Sequence, residues 1–289
     1  MDIKKRKSRR HLEIEESLSA YKGLYVLFVD VNQRILKKSF VQKIISEKVV
    51  TSTNDLARAY AQRQEPGIVI VAEQQTAGRG RLGRPWTSKP GTALTFSLTV
   101  QVLDKSSLYL PYMSGFAMHR AISDLIPELA TKIGFKWPND IRMTTNRRKL
   151  SGVLVEVART DEPMLYAVVG VGVNVNEASR EDFSPEIREL ATSLLIEGGR
   201  VLDRQVLLGR YLVHFDKVLD AIDDPQGKKD LVDYLNQHNY LKDRPVRVQV
   251  SSEETVSGTV VGFHTDGALL VFTGSKTELI YSGDITELP

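Results

Sequence analysis

The sequence predicts an α+β fold, a mixed or antiparallel sheet with packed helices, followed by a small all-β module. Strand-like apolar runs at 68–72, 92–100, 135–143, 150–157 and 165–173 are joined by turn-rich connections, and the last three read as an antiparallel meander. Stretches of helical period accompany them. Beyond Asn239 the pattern changes to short strands punctuated by glycine. At roughly 100–200 residues per domain, 289 residues give about two domains. The expected division is an N-terminal extension at 1–40, a main domain at 41–238 and a β module at 239–289.

Taken in order, the first forty residues are the least readable, with a possible hairpin turn at Asn32-Gln33. Thr51-Ser52-Thr53-Asn54 offers N-cap side chains to a helix in which Leu56, Ala57, Tyr60 and Ala61 recur. Met113, Phe116, Ala117, Ala121 and Leu125 mark a second helix. Pro185 and Gly198-Gly199 are the start and stop signals of a third over 185–195. Leu207, Tyr211, Phe215, Leu219 and Ile222 mark a fourth. Runs at 246–250, 256–263, 268–272 and 278–281 are too few for a sandwich but enough for a small barrel.

Composition removes several function classes. With no cysteine, disulfides, thiolate metal sites and cysteine nucleophiles are excluded. No apolar run approaches the ~20 residues of a membrane span, and acids follow the basic start, against a transit peptide. A cytoplasmic protein with no membrane partner is expected. The net charge of +3 is local: six basic residues against Asp2 in the first ten leave the remainder at −2. A whole-domain nucleic-acid footprint is therefore not implied. The five histidines are scattered, and neither paired catalytic carboxylates nor a nucleophile elbow is present.

Four constellations could carry chemistry. Gly78-Arg79-Gly80-Arg81-Leu82-Gly83-Arg84-Pro85-Trp86 combines glycines that let amides approach an anion with arginines suited to carboxylate or phosphate, and no acid lies between Gln74 and Pro90. It matches neither a Walker A loop nor a dinucleotide fingerprint. A mobile basic loop or an RNA-binding segment remains open on composition alone. Lys136-Trp137-Pro138-Asn139-Asp140 crowds a rigid turn, an aromatic plane and a carboxylate able to take Mg²⁺ into five residues; a plain strand turn is the alternative. Lys149 opens the run to Glu156, where Gly152 permits close approach. Gly170-Val171-Gly172-Val173-Asn174-Val175-Asn176 repeats the glycine theme and is equally readable as a core strand.

Together and in this order, these segments resemble the biotin protein ligases. Ser52-Thr53-Asn54 and Glu73-Gln74-Gln75-Thr76-Ala77 join them, with Ala191-Thr192-Ser193-Leu194 and the terminal β module also similar. The resemblance runs from about Phe40 to the end. It implies a class II synthetase-like catalytic domain with an SH3-like C-terminal domain. It also implies ATP and biotin as substrates with Mg²⁺, a biotinyl-5′-AMP intermediate, and transfer to a lysine of a biotin carboxyl carrier domain.

By that similarity Lys149 and Arg81 are catalytic. Ser52, Thr53, Asn54, Gln75, Arg79 and Gly80, together with Arg81 and Lys149, bind biotin. Arg79, Arg81, Arg84, Trp86, Lys136, Asn139, Lys149 and Asn174 serve ATP, and Asp140 the metal. The glycine-rich loop is expected to order over the bound intermediate and exclude water. Repressor members of the family carry a winged-helix domain; none is recognisable in residues 1–40, so a ligase-only type, monomer or homodimer, without specific DNA binding is expected. A lipoate ligase of the same fold and a biotin-responsive DNA-binding regulator are the alternatives.

Overall fold

A computed structural model of the chain describes residues 39–288. The hairpin turn, the basic start and most of the 1–40 extension lie outside the described residues. Strand β1 (Lys43–Val50) leads through helix α1 (Thr53–Gln62) into β2 (Ile68–Gln75), which lies parallel to β1. All other neighbours are antiparallel: β3 (Leu94–Leu103), β4 (Ile133–Lys136), β5 (Asp140–Met143), β6 (Lys149–Asp161) and β7 (Met164–Val173). The sheet order is β1-β2-β3-β7-β6-β5-β4, the predicted mixed sheet with β4 to β7 as its meander.

Alternation along β3 and β7 decides what each face does. Leu94, Phe96, Leu98 and Val100 point to the large core, which also takes in α2 (Leu110–Leu125), α4 (Arg204–Ala221) and α5 (Pro225–Gln237). Thr95, Ser97 and Thr99 point the other way, toward α1, and are equally buried. Thr95 and Thr99 hydroxyls donate to the Ala72 and Glu65 carbonyls, so their burial leaves no orphan donor. In β7 the α1 face runs Tyr166, Val168, Gly170, Gly172. Its first half packs with Ala57 and Ala61, and its second half carries no side chain. The floor of a cleft begins there.

The C-terminal module is a small antiparallel sheet of β8 (Pro245–Gln249), β9 (Thr255–Phe263), β10 (Leu269–Phe272), β11 (Thr277–Ile280) and β12 (Asp284–Glu287), ordered β11-β10-β9-β8-β12. It is fastened by the hydroxyls of Tyr112 in α2 and of Tyr109 just before it, which donate to the Gly267 and Thr265 carbonyls. Asn236 of α5 pairs with both backbone groups of Phe263.

Some local expectations are corrected. Ser52 is the N-cap residue of α1, but its side chain makes no capping bond; the Thr53 N–H is taken by Gln75 Oε1 at 2.8 Å instead. Residues 185–190 form turns and not a helix; the helix there is α3 (Leu194–Gly198), capped by Ser193 Oγ and ended by Gly199 at φ 70°. The 135–143 run is two strands broken by a turn at Trp137-Pro138-Asn139. Helix α5 and strands β1 and β12 add to the elements read from the sequence.

Candidate active site

The sheet face left open beyond Val168 forms the floor of a cleft of about 430 Å³. Gly152 of β6 and Gly172 of β7 are direct cross-strand partners, and Gly170 lies opposite Leu154. Each glycine makes room for a specific side chain. A methyl at Gly170 would collide with the Asn54 amide, one at Gly172 with the Trp86 indole, and one at Gly152 would sit 2.7 Å from Lys149 Nζ. The glycines are therefore required for close approach, as read from the sequence.

At one end, Thr53, Asn54 and Gln75 form a buried hydrogen-bond chain. Gln75 Oε1 accepts from Thr53 N and Oγ1, Ser97 Oγ lies 2.7 Å from Thr53 Oγ1, and it donates to Asn54 Oδ1 at 2.6 Å. Asn54 Nδ2 continues to Glu156 Oε2 at 2.6 Å, and Arg58 closes the chain on Glu156 Oε1 at 2.7 Å. Ser52, 2% exposed, lines the same recess. Ser97 and Glu156 add to the site residues that the sequence offers; the signal for Ser97 is a polar residue at every second place of β3.

From the recess outward the cations gather, beginning with Arg79, whose guanidinium lies 3.9 Å from Glu156. The 78–86 loop is a small hairpin: Gly80 N donates to Arg84 O and Trp86 N to Gly78 O, with Leu82 at φ 56° and Gly83 at φ 70° completing the turn. Its arginines are not free of acids, as the local sequence implied, because the fold brings partners from afar. Arg79 is held bidentately by Asp55 at 2.5 and 2.9 Å, a bond that lowers the carboxyl pKa and raises that of the guanidinium. Arg84 pairs with Asp284 at 2.6 Å. Arg81, lowered in pKa by burial, donates to the Gly283 carbonyl at 2.7 Å and to Asn139 Oδ1 at 3.4 Å.

Lys149 Nζ stands 2.7 Å from Asp140 Oδ1, as an ion pair and not an aligned hydrogen bond, and 5.7 Å from the Trp86 ring centroid. Lys136 approaches Glu287 of β12 at 3.5 Å, its pKa lowered by burial. Burial also works against the Glu287 carboxylate, but Lys136, Tyr240 and Arg244 outweigh it and keep its pKa low. The β module is thus a wall of the cleft, which no local signal foretold.

Two predicted residues are occupied structurally. Asn139 Nδ2 donates to the Val153 carbonyl at 2.6 Å, and Asn174 Nδ2 to the Thr192 carbonyl at 3.0 Å. Trp137, unlike Trp86, is core: its Nε1 donates to Tyr112 Oη at 2.9 Å. Among the described residues no three His, Cys, Asp or Glu side chains converge on a metal position. Asp140 Oδ1 is buried without a hydrogen bond, yet the Lys149 ammonium faces it. One carboxylate so placed does not build a resident metal site.

A concave floor, a neutral hydrogen-bonding recess and a cation-rich end define a ligand-binding enzyme cleft with a place for an anionic cosubstrate. A biotin/lipoate A/B protein ligase family model matches residues 46–174, and a biotin protein ligase C-terminal domain model matches 243–286. The biotin–[acetyl-CoA-carboxylase] ligase of Mycobacterium tuberculosis is 31% identical over 249 residues, 85% of this chain and 88% of that protein. The bifunctional ligase/repressor BirA of Bacillus subtilis is 29% identical, covering 84% of this chain and 74% of that one. A biotin protein ligase from Aquifex aeolicus solved with biotin and ATP superposes with a TM-score of 0.71 at 27% identity, over 86% of this chain and 99% of that one. The chain belongs to the biotin protein ligase family and is a ligase enzyme.

Proposed function

We propose that the chain is an ATP-dependent biotin–protein ligase working through biotinyl-5′-AMP. A biotin carboxylate oxygen attacks the α-phosphorus of ATP; a P–O bond forms, the bond to the β-bridging oxygen breaks, and pyrophosphate leaves. The neutral amine of an acceptor lysine then attacks the acyl carbon. A C–N bond forms, the acyl C–O bond breaks, AMP departs, and the amine proton passes to water. The acceptor is the biotin carboxyl carrier domain of a biotin-dependent carboxylase, and ATP enters as its Mg²⁺ complex with Asp140 beside the metal.

The observation that carries this reading is the single cleft that pairs a neutral amide recess with a cation-rich end. Neither step needs a protein nucleophile, so positioning and charge stabilisation suffice. In this reading Ser52, Thr53, Asn54 and Gln75 recognise the ureido ring. Lys149 neutralises charge gathering on the α-phosphate oxygens and stays by the anhydride in the second step. Arg79, Gly80 and Arg81 hold the carboxylate and α-phosphate, while Arg84, Trp86, Lys136, Asn139 and Asn174 shape the nucleotide side. The two amides Asn139 and Asn174 do this by fixing the strand and loop backbone to which they are bonded.

Pyrophosphate exchange into ATP, run with Mg²⁺ and either biotin or lipoate but no acceptor, tests the first step. Exchange that requires biotin is expected. Exchange driven by lipoate would reassign the substrate, and none with either would overturn the ligase chemistry.

A further inference from the structure

Six cations line the cleft: Arg79, Arg81, Arg84, Lys136, Arg142 and Lys149. Four have a carboxylate nearest to them, namely Asp55, Asp284, Glu287 and Asp140 for Arg79, Arg84, Lys136 and Lys149. Among the described residues, Arg81 and Arg142 have none to themselves. Arg142 had no place in the sequence reading.

Strand β5 fixes its direction. Ile141 and Met143 are buried in the core, so alternation turns Asp140 and Arg142 together to the opposite face, that of the cleft. Beyond a register shift between Ile141 and Arg142, Arg142 is the cross-strand partner of Lys149. Like charges directly opposite on neighbouring strands are destabilising unless something anionic lies across them. Asp140 does so only in part: it is 2.7 Å from Lys149 but 3.7 Å from Arg142. One Arg142 terminal nitrogen donates to the Arg147 carbonyl at 2.9 Å, and its buried Nε–H finds no acceptor among the described residues. An arginine side chain only 19% exposed, with an orphan donor and a shared counter-ion, is undersupplied with negative charge.

We propose that Arg142 grips the pyrophosphate half of ATP, the part that leaves in the first step. This rests on the reading of the cleft as an ATP site. The triphosphate brings several more negative charges than the adenylate that replaces it, so a cation beyond Lys149 is needed before pyrophosphate departs and not after. The planar fork of Arg142 can take two phosphate oxygens, including one for its Nε–H.

The test separates the two half-reactions in the intact chain. Arg142→Gln and Arg142→Lys are compared with the unmodified protein for ATP KM in biotin-dependent pyrophosphate exchange, and for transfer from supplied biotinyl-5′-AMP to a biotin carboxyl carrier domain. Losing a charged hydrogen bond should raise the ATP KM about 10- to 100-fold in Arg142→Gln. Arg142→Lys should raise it less, since it keeps the charge and loses the fork, and transfer should stay within about twofold of the unmodified rate in both. Should Arg142→Gln fail to fold, Arg142→Lys carries the comparison. An unchanged ATP KM, or an equal fall in both half-reactions, would overturn the proposal. No biotin-dependent exchange in the unmodified chain would defeat the ligase reading and this proposal together, whereas normal exchange there with an unaltered variant defeats the proposal alone.

Discussion

At one end of the cleft, Thr53, Asn54, Gln75 and Ser97 satisfy one another through hydrogen bonds of 2.6–3.1 Å, and Ser97 is wholly buried. At the other, Arg84 and Lys136 reach carboxylates supplied by the distant strand β12, with the Arg84–Asp284 pair largely in solvent. The difference lies in what an incoming ligand must displace. The amide recess is locked by its own hydrogen bonds, so its shape is fixed. The ionic end holds its cations on exchangeable partners, and a phosphate can replace a carboxylate without leaving a bare charge behind.

The largest expected effect is at the ionic end. Lys149→Ala should lower the adenylation rate roughly 100- to 1000-fold, the range for losing a donor aimed at developing charge; single-turnover formation of biotinyl-5′-AMP reads it. A loss below tenfold would move the central role away from Lys149.

Next comes the floor of the neutral end. Gly170→Ala places a methyl against the Asn54 amide, which must give way. Destabilisation of about 1–3 kcal/mol in a urea melt and at least tenfold weaker biotin binding by calorimetry are expected. Unchanged biotin affinity would mean that the recess does not read biotin.

Solvent exposure makes the contrast sharper. Asn54→Ala takes one hydrogen-bond partner each from Ser97 and Glu156, which keep Thr53 and Arg58, and should cost about 1–3 kcal/mol. Arg84→Ala removes an exposed ion pair and should cost less than about 1 kcal/mol. Equal costs in matched denaturation curves would dissolve the distinction between the two ends.

Acid adds a background from the helical layer. Burial first, and His238 second, lower the His119 pKa to about 3 from 6.5. The unfolded chain therefore binds the extra proton at a higher pH than the folded one. The stability from neutral His119 is complete above about pH 6.5 and declines as pH falls toward 3. The urea midpoint should drop from pH 7.5 to pH 5, and His119→Gln should flatten that slope; an identical slope would place the sensitivity elsewhere. The two ends of the cleft are best compared above pH 7.

Smallest is a turn at the ionic end. Arg147 joins β5 to β6 at φ 65°, where a glycine carries no Cβ penalty. Arg147→Gly should raise stability by about 0.5–1 kcal/mol. A lower melting temperature would show that the Arg147 side chain contributes more than the backbone conformation costs.

The strongest local patterns in the sequence translated directly into structure. The alternating run at 92–100 became β3, and the glycines of β6 and β7 announced close approach before any partner was visible. All fourteen residues picked for the site line one cleft. Their electrostatics were not legible, because the partners lie far off in the chain: Arg84 meets Asp284 across 200 residues and Arg81 meets the Gly283 carbonyl across 202. A charge balance over the 74–90 window cannot contain such acids. Helix α5 did carry a start signal, Asp224 as N-cap with Pro225 after it, but only Leu231, Val232 and Leu235 are buried on it, a narrow apolar stripe in a charge-dense run. At 185–195 the punctuation misled, since Ser193 and not Pro185 begins the helix.

The division of the cleft is tested most directly by a crystal structure with biotinyl-5′-AMP bound. The ureido ring is expected within hydrogen-bond distance of the Thr53, Asn54 and Gln75 recess, with the phosphate against Lys149 and Arg81. A ring lodged among the arginines, or a phosphate remote from Lys149, would contradict it.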